Sequence, residues 1–220
     1  MASTDEQIKK MVVDQLLWDS RIDASHVKVE VTDGVVILTG TVPGHTGFRA
    51  AVDDTWVIPG VIRIDNRLNV QYPAGVSMPP DEKIKTKIED IFLWNPSIDE
   101  SKITVISDKR CIKLEGSVDS YWKKFNAEEI AYGVLGVVDV TNELAVVPSE
   151  DIVDEAIAED LIAALDRNIY VNDDAIDVKV KNGKVTLSGI VDNTLALRIA
   201  VDTARHTLGV RDVTNNLTLS

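Results

Sequence analysis

The chain has 220 residues, 45% hydrophobic and 27% charged, with a net charge of −13. Acid spread along the whole length disfavours nonspecific binding to nucleic acid or to anionic lipid through bulk charge. A single cysteine, Cys111, excludes an intrachain disulfide, and no apolar run approaches the roughly 20 residues of a membrane span.

The start, Met1-Ala-Ser-Thr-Asp-Glu-Gln, carries no basic n-region or apolar h-region, so the cytosol is the expected compartment. Asp5 is a candidate N-cap for an amphipathic helix with Ile8, Val12 and Leu16 on one stripe. Next comes Val29-Glu-Val-Thr-Asp-Gly-Val-Val-Ile-Leu-Thr-Gly-Thr-Val42, alternating runs around Asp33-Gly34, the dipeptide that a type I′ hairpin turn prefers. A two-residue turn pairs Val31 with Val36, Val29 with Leu38 and Val27 with Gly40. Side chains alternate along a strand, so these six share one face. A glycine there predicts the close approach of another backbone. A second helix is expected to start near Thr46, to bury Ala51 and Thr55, and to end at Gly60, a left-handed C-cap. Gly40 is then expected beneath or beside that helix. Ile64, Asn66, Leu68 and Val70 make a third strand.

The same pattern returns twice, offset by 76 and then 73 residues with no internal gap. Repeat 2 aligns Ile84, Ile88 and Phe92, the hairpin Val105–Val118 with Gly116, Ala127 and Ala131, Gly136, and Asn142. Repeat 3 aligns Ile157, Leu161 and Leu165, the hairpin Val178–Val191 with Asn182-Gly183 and Gly189, Ala200 and Ala204, Gly209, and Asn215. Ser120 and Asn193 are the matching caps of the second helices. Repeat 2 has Lys109-Arg110 at its hairpin tip, which predicts a looser turn or one of another type. The boundaries are 1–72, 79–147 and 150–220, joined by the Pro/Gly-rich Gln71–Pro80 linker and by Val147–Glu150. The fold class is α+β: three tandem αββαβ domains, each a three-stranded mixed sheet in order 1-2-3 with two helices on one face. The third strand runs parallel to the second through a right-handed crossover.

These residues resemble the BON family (bacterial OsmY and nodulation domain). The resemblance rests on Gly34-Val-Val-Ile-Leu-Thr-Gly-Thr-Val42, Asn182-Gly-Lys-Val-Thr-Leu-Ser-Gly-Ile-Val191 and endings such as Gly209-Val-Arg-Asp-Val-Thr-Asn-Asn-Leu217. The tripled form, with Leu17-Trp18-Asp19 and Leu93-Trp94-Asn95, is similar to transport-associated and osmotic-stress members. The resemblance implies a non-enzymatic binding role, usually attachment to phospholipid membranes, and a potassium ion in some members. It implies no catalytic residues and no cofactor.

Residue by residue, the candidates divide as follows. His26, His45 and His206 fall at non-equivalent places and read as surface or loop residues, since a metal site needs clustered ligands. Asp53-Asp54 and similar pairs read as solvated faces, because neighbours on a helix point apart. Gly44-His-Thr-Gly47 reads as a turn before a helix. Asn66, Asn142 and Asn215 read as hydrogen-bonding anchors for a neighbouring loop, with ligand contact as the alternative. Trp18 and Trp94 are expected to pack over the sheet's edge. Val35, Ile37, Ile106 and Cys111 lie on the outward parity and predict a covered sheet face. Lys179, Lys181 and Lys184 share the open face of the third hairpin. They either keep that sheet soluble or form a site for a headgroup or phosphate. The expected function is binding or scaffolding at a phospholipid surface or on another protein under osmotic stress, with no nucleic-acid partner. The second reading is a small-ligand or potassium sensor.

Overall fold

The computed structural model describes residues 4–72, 75, 77–150 and 152–219; residues 1–3 and the linker positions Pro73, Ala74 and Val76 lie outside the described residues. The first repeat comprises α1 (Asp5–Trp18), β1 (Val27–Thr32), β2 (Val35–Val42), α2 (His45–Trp56) and β3 (Arg63–Val70). In the second follow α3 (Asp81–Trp94), β4 (Ile103–Asp108), β5 (Cys111–Val118), α4 (Tyr121–Tyr132), β6 (Asp139–Asn142) and β7 (Ala145–Val146). The third has α5 (Asp154–Asp166), β8 (Ile176–Lys181), β9 (Lys184–Val191), α6 (Thr194–His206) and β10 (Asp212–Leu219). Sheet order is β1-β2-β3 in the first repeat and β8-β9-β10 in the third, antiparallel then parallel, with Val27 opposite Gly40 and Ile176 opposite Gly189. The fold class and register match the sequence reading. In the second repeat the last strand breaks after Asn142, and β7 pairs with β5 separately.

The chain divides into two compact units, Met1–Lys87 with Ser107–Ile112 and Ala131–Val140, and Ile88–Ile106 with Lys113–Ile130 and Thr141–Ser220. The second repeat contributes to both. In the first unit, Ile8, Val12 and Leu16 of α1 are buried with Val36 and Leu38 of β2 and Ala51 of α2. The second unit repeats this with Ile157, Leu161, Leu165, Val185, Leu187 and Ala200. Small residues on α2 and α6 bring those helices close to the sheet, as their i, i+4 spacing predicts.

The tip of each hairpin is tied from two sides. Asp5 is the first residue of α1, behind a Thr4–Gln7 capping box, and not the N-cap itself. Its carboxylate accepts from the amides of Asp33 (2.9 Å) and Gly34 (3.0 Å). Asp81 accepts from Lys109 (2.8 Å) and Arg110 (2.7 Å), and Asp154 from Asn182 (2.7 Å) and Gly183 (2.8 Å). The second turn residue is tied on its other side as well, since its carbonyl accepts from Ile62, Val138 or Arg211 at the entry to the third strand. Lys109-Arg110 is therefore neither loose nor of another type. Both residues have positive φ, +49° and +68°, like Asp33-Gly34 at +50° and +74°. A paired carboxylate holds a conformation that side chains there disfavour.

Gly40, Gly116 and Gly189 do approach another backbone, but not that of the second helix. Their φ values are +116°, +119° and +136°, and an added Cβ would lie 1.9–2.0 Å from the carbonyl oxygen of His26, Lys102 or Ala175. Each carbonyl belongs to the last residue of the 3₁₀ turn that leads into the repeat's first strand. The second helices also end earlier than the glycine pattern predicts. α2 stops at Trp56 with Val57 as its C-cap, and Gly60 sits in a further turn closed by Val61 N–H to the Ile58 carbonyl. α2 begins at His45 rather than at Thr46, so Gly44-His-Thr-Gly47 runs into its first turn. Asn193 caps α6 as expected, accepting from the Ala196 amide at 2.9 Å.

Gly189→Ala should lower unfolding stability by at least ~2 kcal/mol, because positive φ and backbone overlap act together, whereas exposed Glu30→Gln should change it by less than about 0.5 kcal/mol; urea denaturation of the whole chain reads both. The amides of Arg110 and then Lys109 hold the Asp81 carboxyl below its usual range. A carboxylate with a depressed folded-state pKa stabilises above its unfolded value and loses that contribution as pH falls through the folded one. Asp81→Ala should therefore lower the melting midpoint at pH 7 more than in acid below the carboxylate range. Lys109→Asn with Arg110→Gly should recover most of the loss.

Candidate functional site

The third hairpin places Lys181 opposite Lys184 and Lys179 opposite Thr186, as the register predicts. Lys179 Nζ is 2.6 Å from Asp177, which raises its pKa, and Lys184 Nζ is 3.9 Å from Asp212. Two of the three ammonium groups thus have a carboxylate beside them, and the local positive charge is smaller than the lysine count implies.

The recurrent asparagines make the same local bond in all three repeats. Asn66, Asn142 and Asn215 each accept from the backbone amide two residues on, at Leu68, Leu144 and Leu217. In the first and third repeats the bond stays within the last strand, and in the second it spans the break after Asn142, so it is local in all three rather than an anchor for a neighbouring loop. Asn142 also donates to the Lys124 carbonyl and to Glu128, tying its strand to α4 where the strand breaks.

Two residues read as solvent-facing are not. Asp54 is buried at 8% exposure. Burial first, and then a hydrogen bond with Asp19, push its carboxyl up, while Arg21 lies 3.8 Å away and pairs mainly with Asp19. His45 stacks on Tyr132, with ring centroids 3.7 Å apart and planes at 10°, and on Phe48 at 5.4 Å. Its Nε2 is buried with no hydrogen-bond partner among the described residues. A cavity of about 340 Å³ beside it is lined by Phe48, Leu68, Val70, Val138 and Asp139. Burial, helped by the Arg49 charge and opposed by Asp139, lowers the His45 pKa to about 4. This is the join between the first and second repeats, and Tyr72 reinforces it by accepting from the Gly136 amide and donating to the Val137 carbonyl.

A corresponding join in the second unit uses α4 and α6. Tyr121 packs against the core of the third repeat, and burial pushes its phenol up. Trp122 lies 5.6 Å from His206, and the Arg205 guanidinium sits 4.2 Å over the Phe125 ring. No spacing rule could find these pairs, because the partners are 80 or more residues apart.

Other side chains are more open than expected. Trp18 and Trp94 do not pack over a sheet edge; they are 86% and 84% exposed, beside Leu17 at 65% and Leu93 at 57%. The helix ends just where these side chains stand, so its buried stripe passes them by. Cys111 and Ile106 are exposed too, so among the described residues nothing covers these two positions of the second repeat's sheet, whereas Val35 and Ile37 of the first are half-buried. Among the described residues, no group of three or more His, Cys, Asp or Glu converges on a metal position, and no helix is long and apolar enough to cross a membrane.

A family model described as BON domain matches residues 4–72, 80–148 and 153–220. The chain is 28% identical over 199 residues to osmotically-inducible protein Y of Escherichia coli (strain K12), covering 88% of this chain and 97% of that protein. Among solved structures it is similar to CdsD, a structural protein of the type III secretion system of Chlamydia trachomatis. There the identity is 15% and the TM-score 0.28, over 96% of this chain and 90% of that one. A C-terminal-domain structure of CdsD aligns at 14% identity and the same TM-score, over 96% of each chain.

A histidine whose pKa drops from 6.5 to about 4 on folding makes the folded state the poorer proton binder. Stability should therefore decline as pH falls from about 6.5 towards 4, and His45→Phe should flatten that part of the profile. Urea midpoints across this pH range check it, with the His45 ring proton followed by NMR.

Proposed function

Because the chain belongs to the BON domain family, with three domains in tandem, we propose that it is a non-enzymatic binding and scaffolding protein of the osmotic-stress response that attaches to phospholipid surfaces. The stress assignment is supported by its likeness to an osmotically inducible protein over most of both chains. The attachment is peripheral. The observation that carries it is the pair of exposed Leu-Trp steps, Leu17-Trp18 and Leu93-Trp94, at equivalent helix ends of two domains. Indole is amphipathic and settles at the water–hydrocarbon boundary, where one side is apolar and the other wet. The lysines of the third hairpin contribute orientation rather than adhesion, since Asp177 and Asp212 offset two of them and exposed charges are screened beyond roughly 8 Å at physiological ionic strength.

The protein should co-sediment with phosphatidylglycerol-containing vesicles, with a blue shift in tryptophan emission. Trp18→Ser with Trp94→Ser should abolish both effects. Lys179, Lys181 and Lys184 changed together to Glu should weaken binding at low salt only. Wild-type protein that stays in the supernatant at low salt would sink the membrane reading.

A further inference from the structure

We infer that the first domain's contact with a phospholipid surface is linked to a proton: Arg21 leaves the Asp19–Asp54 carboxyl pair for a lipid phosphate, and Asp54 takes up a proton in its place. This rests on the membrane reading above and adds its regulation. Leu17-Trp18 and Leu93-Trp94 end equivalent helices, but what lies behind them differs. Asp19 follows Trp18 directly and is the C-cap of α1. Its side chain is 12% exposed, as is that of Asp54 on α2. Asp54 Oδ2 is buried with no hydrogen-bond partner among the described residues. Arg21 serves both carboxyls, pairing with Asp19 and lying 3.8 Å from Asp54. Around them, Gln15 of α1 bonds Asp54, Asp53 of α2 acts on Arg21, and the strands beneath α2 bring apolar Val36, Leu38 and Leu68 to the core.

The fold does not need these acids. Asp19 accepts from the Arg21 amide at 2.8 Å, and at the equivalent positions Asn95 and Asn168 accept from Ser97 and Tyr170 at 2.9 and 3.1 Å. A neutral amide makes the same turn. Facing it, Asp54 gives way to Ile130 and Thr203 in the other repeats, and Arg21 to Ser97 and Tyr170. The carboxyl pair thus belongs to the first repeat alone, and it stands behind an exposed indole. Arg21 holds Asp19 ionised, well below the usual carboxylate range, while burial and then Asp19 push Asp54 up. A shared proton therefore resides on Asp54. Arg21 is itself 54% exposed, three residues from Trp18, and a guanidinium matches a phosphate bidentately. Headgroup phosphates at a bilayer surface compete for it. Drawing Arg21 away leaves two carboxyls without their counter-ion, and covering Trp18 strips water from Asp19. Both changes favour a neutral Asp54. Binding then takes up at most one proton at this pair. Affinity falls as pH rises from Asp54's pKa in the free protein to its higher pKa in the bound one, by up to about tenfold per unit.

Co-sedimentation with phosphatidylglycerol-containing vesicles, from about pH 8 down to about pH 4 at fixed ionic strength, tests this. Other carboxylates gain protons over that range in every variant, so the readout is the ratio of wild-type to Asp54→Asn affinity. The ratio should be near one in acid and fall as pH rises. Asp54→Thr, the residue that the third repeat carries there, should give the same result as Asp54→Asn. Trp94→Ser should keep the pH dependence, and Trp18→Ser should lose it. Without vesicles, Asp54→Asn should raise the melting midpoint more at the alkaline end than at the acid end, because a group with a raised folded-state pKa loses its contribution as pH rises through that value. Wild-type protein that binds with a ratio independent of pH overturns the inference and leaves the membrane reading standing. A Trp18→Ser variant that keeps the pH dependence overturns it too. Wild-type protein that pellets with vesicles at no pH removes the membrane reading, and this inference with it.

Discussion

Each repeat is held at one point, where a carboxylate at the start of the first helix grips both amides at the tip of the hairpin. Three otherwise different contacts meet there. The helix start places Asp5, Asp81 or Asp154; the hairpin presents two N–H groups that its own ladder leaves without partners; the entry to the last strand donates to the turn's carbonyl. A carboxylate accepting two backbone N–H groups forms short, charge-assisted bonds, and the positive end of the helix favours its negative charge. With the tip fixed on the helix, strand register follows. Register in turn decides which residues reach the core and brings Gly40, Gly116 and Gly189 against a carbonyl that no side chain could tolerate.

The strand alternation and helical stripes were legible because they are local. Ile8, Val12 and Leu16 lie within one helix, and Asp33-Gly34 within one turn, so periodicity alone could place them. The clamp was not legible, because Asp5 and its partners are 28 and 29 residues apart. The ordinary role of an aspartate at a helix start is as a cap, and that is all the local sequence suggests for Asp5. Lys109-Arg110 misleads for the same reason: turn preferences describe what a dipeptide does alone, and here a distant carboxylate overrides them. Alignment of the repeats did hold the missing signal, since Asp5, Asp81 and Asp154 occupy one column.

The candidate sites were less legible than the fold, and the causes differ. Lys179, Lys181 and Lys184 follow the hairpin register, but Asp177 and Asp212 beside two of them change what the patch can attract. His45 resembles a surface residue in the sequence because burial between repeats leaves no local periodicity. Its neighbours differ from one junction to the next, whereas the clamp within each repeat is the same three times. Interior constraints are satisfied in one way and joins in several. Trp18 and Trp94 erred in the opposite direction, since large apolar residues are expected inside and these stand outside.

Amide hydrogen exchange at the three hairpin tips tests the clamp most directly. The six amides of Asp33-Gly34, Lys109-Arg110 and Asn182-Gly183 belong to turns at the rim of the molecule, where solvated backbone ordinarily exchanges fast. If the carboxylates hold them, all six should be protected to nearly the extent of the strand amides beside them, and Lys109 and Arg110 no less than the glycine-containing pairs. Exchange at the rate of an open loop in all three turns would contradict the idea that this interaction fixes the fold.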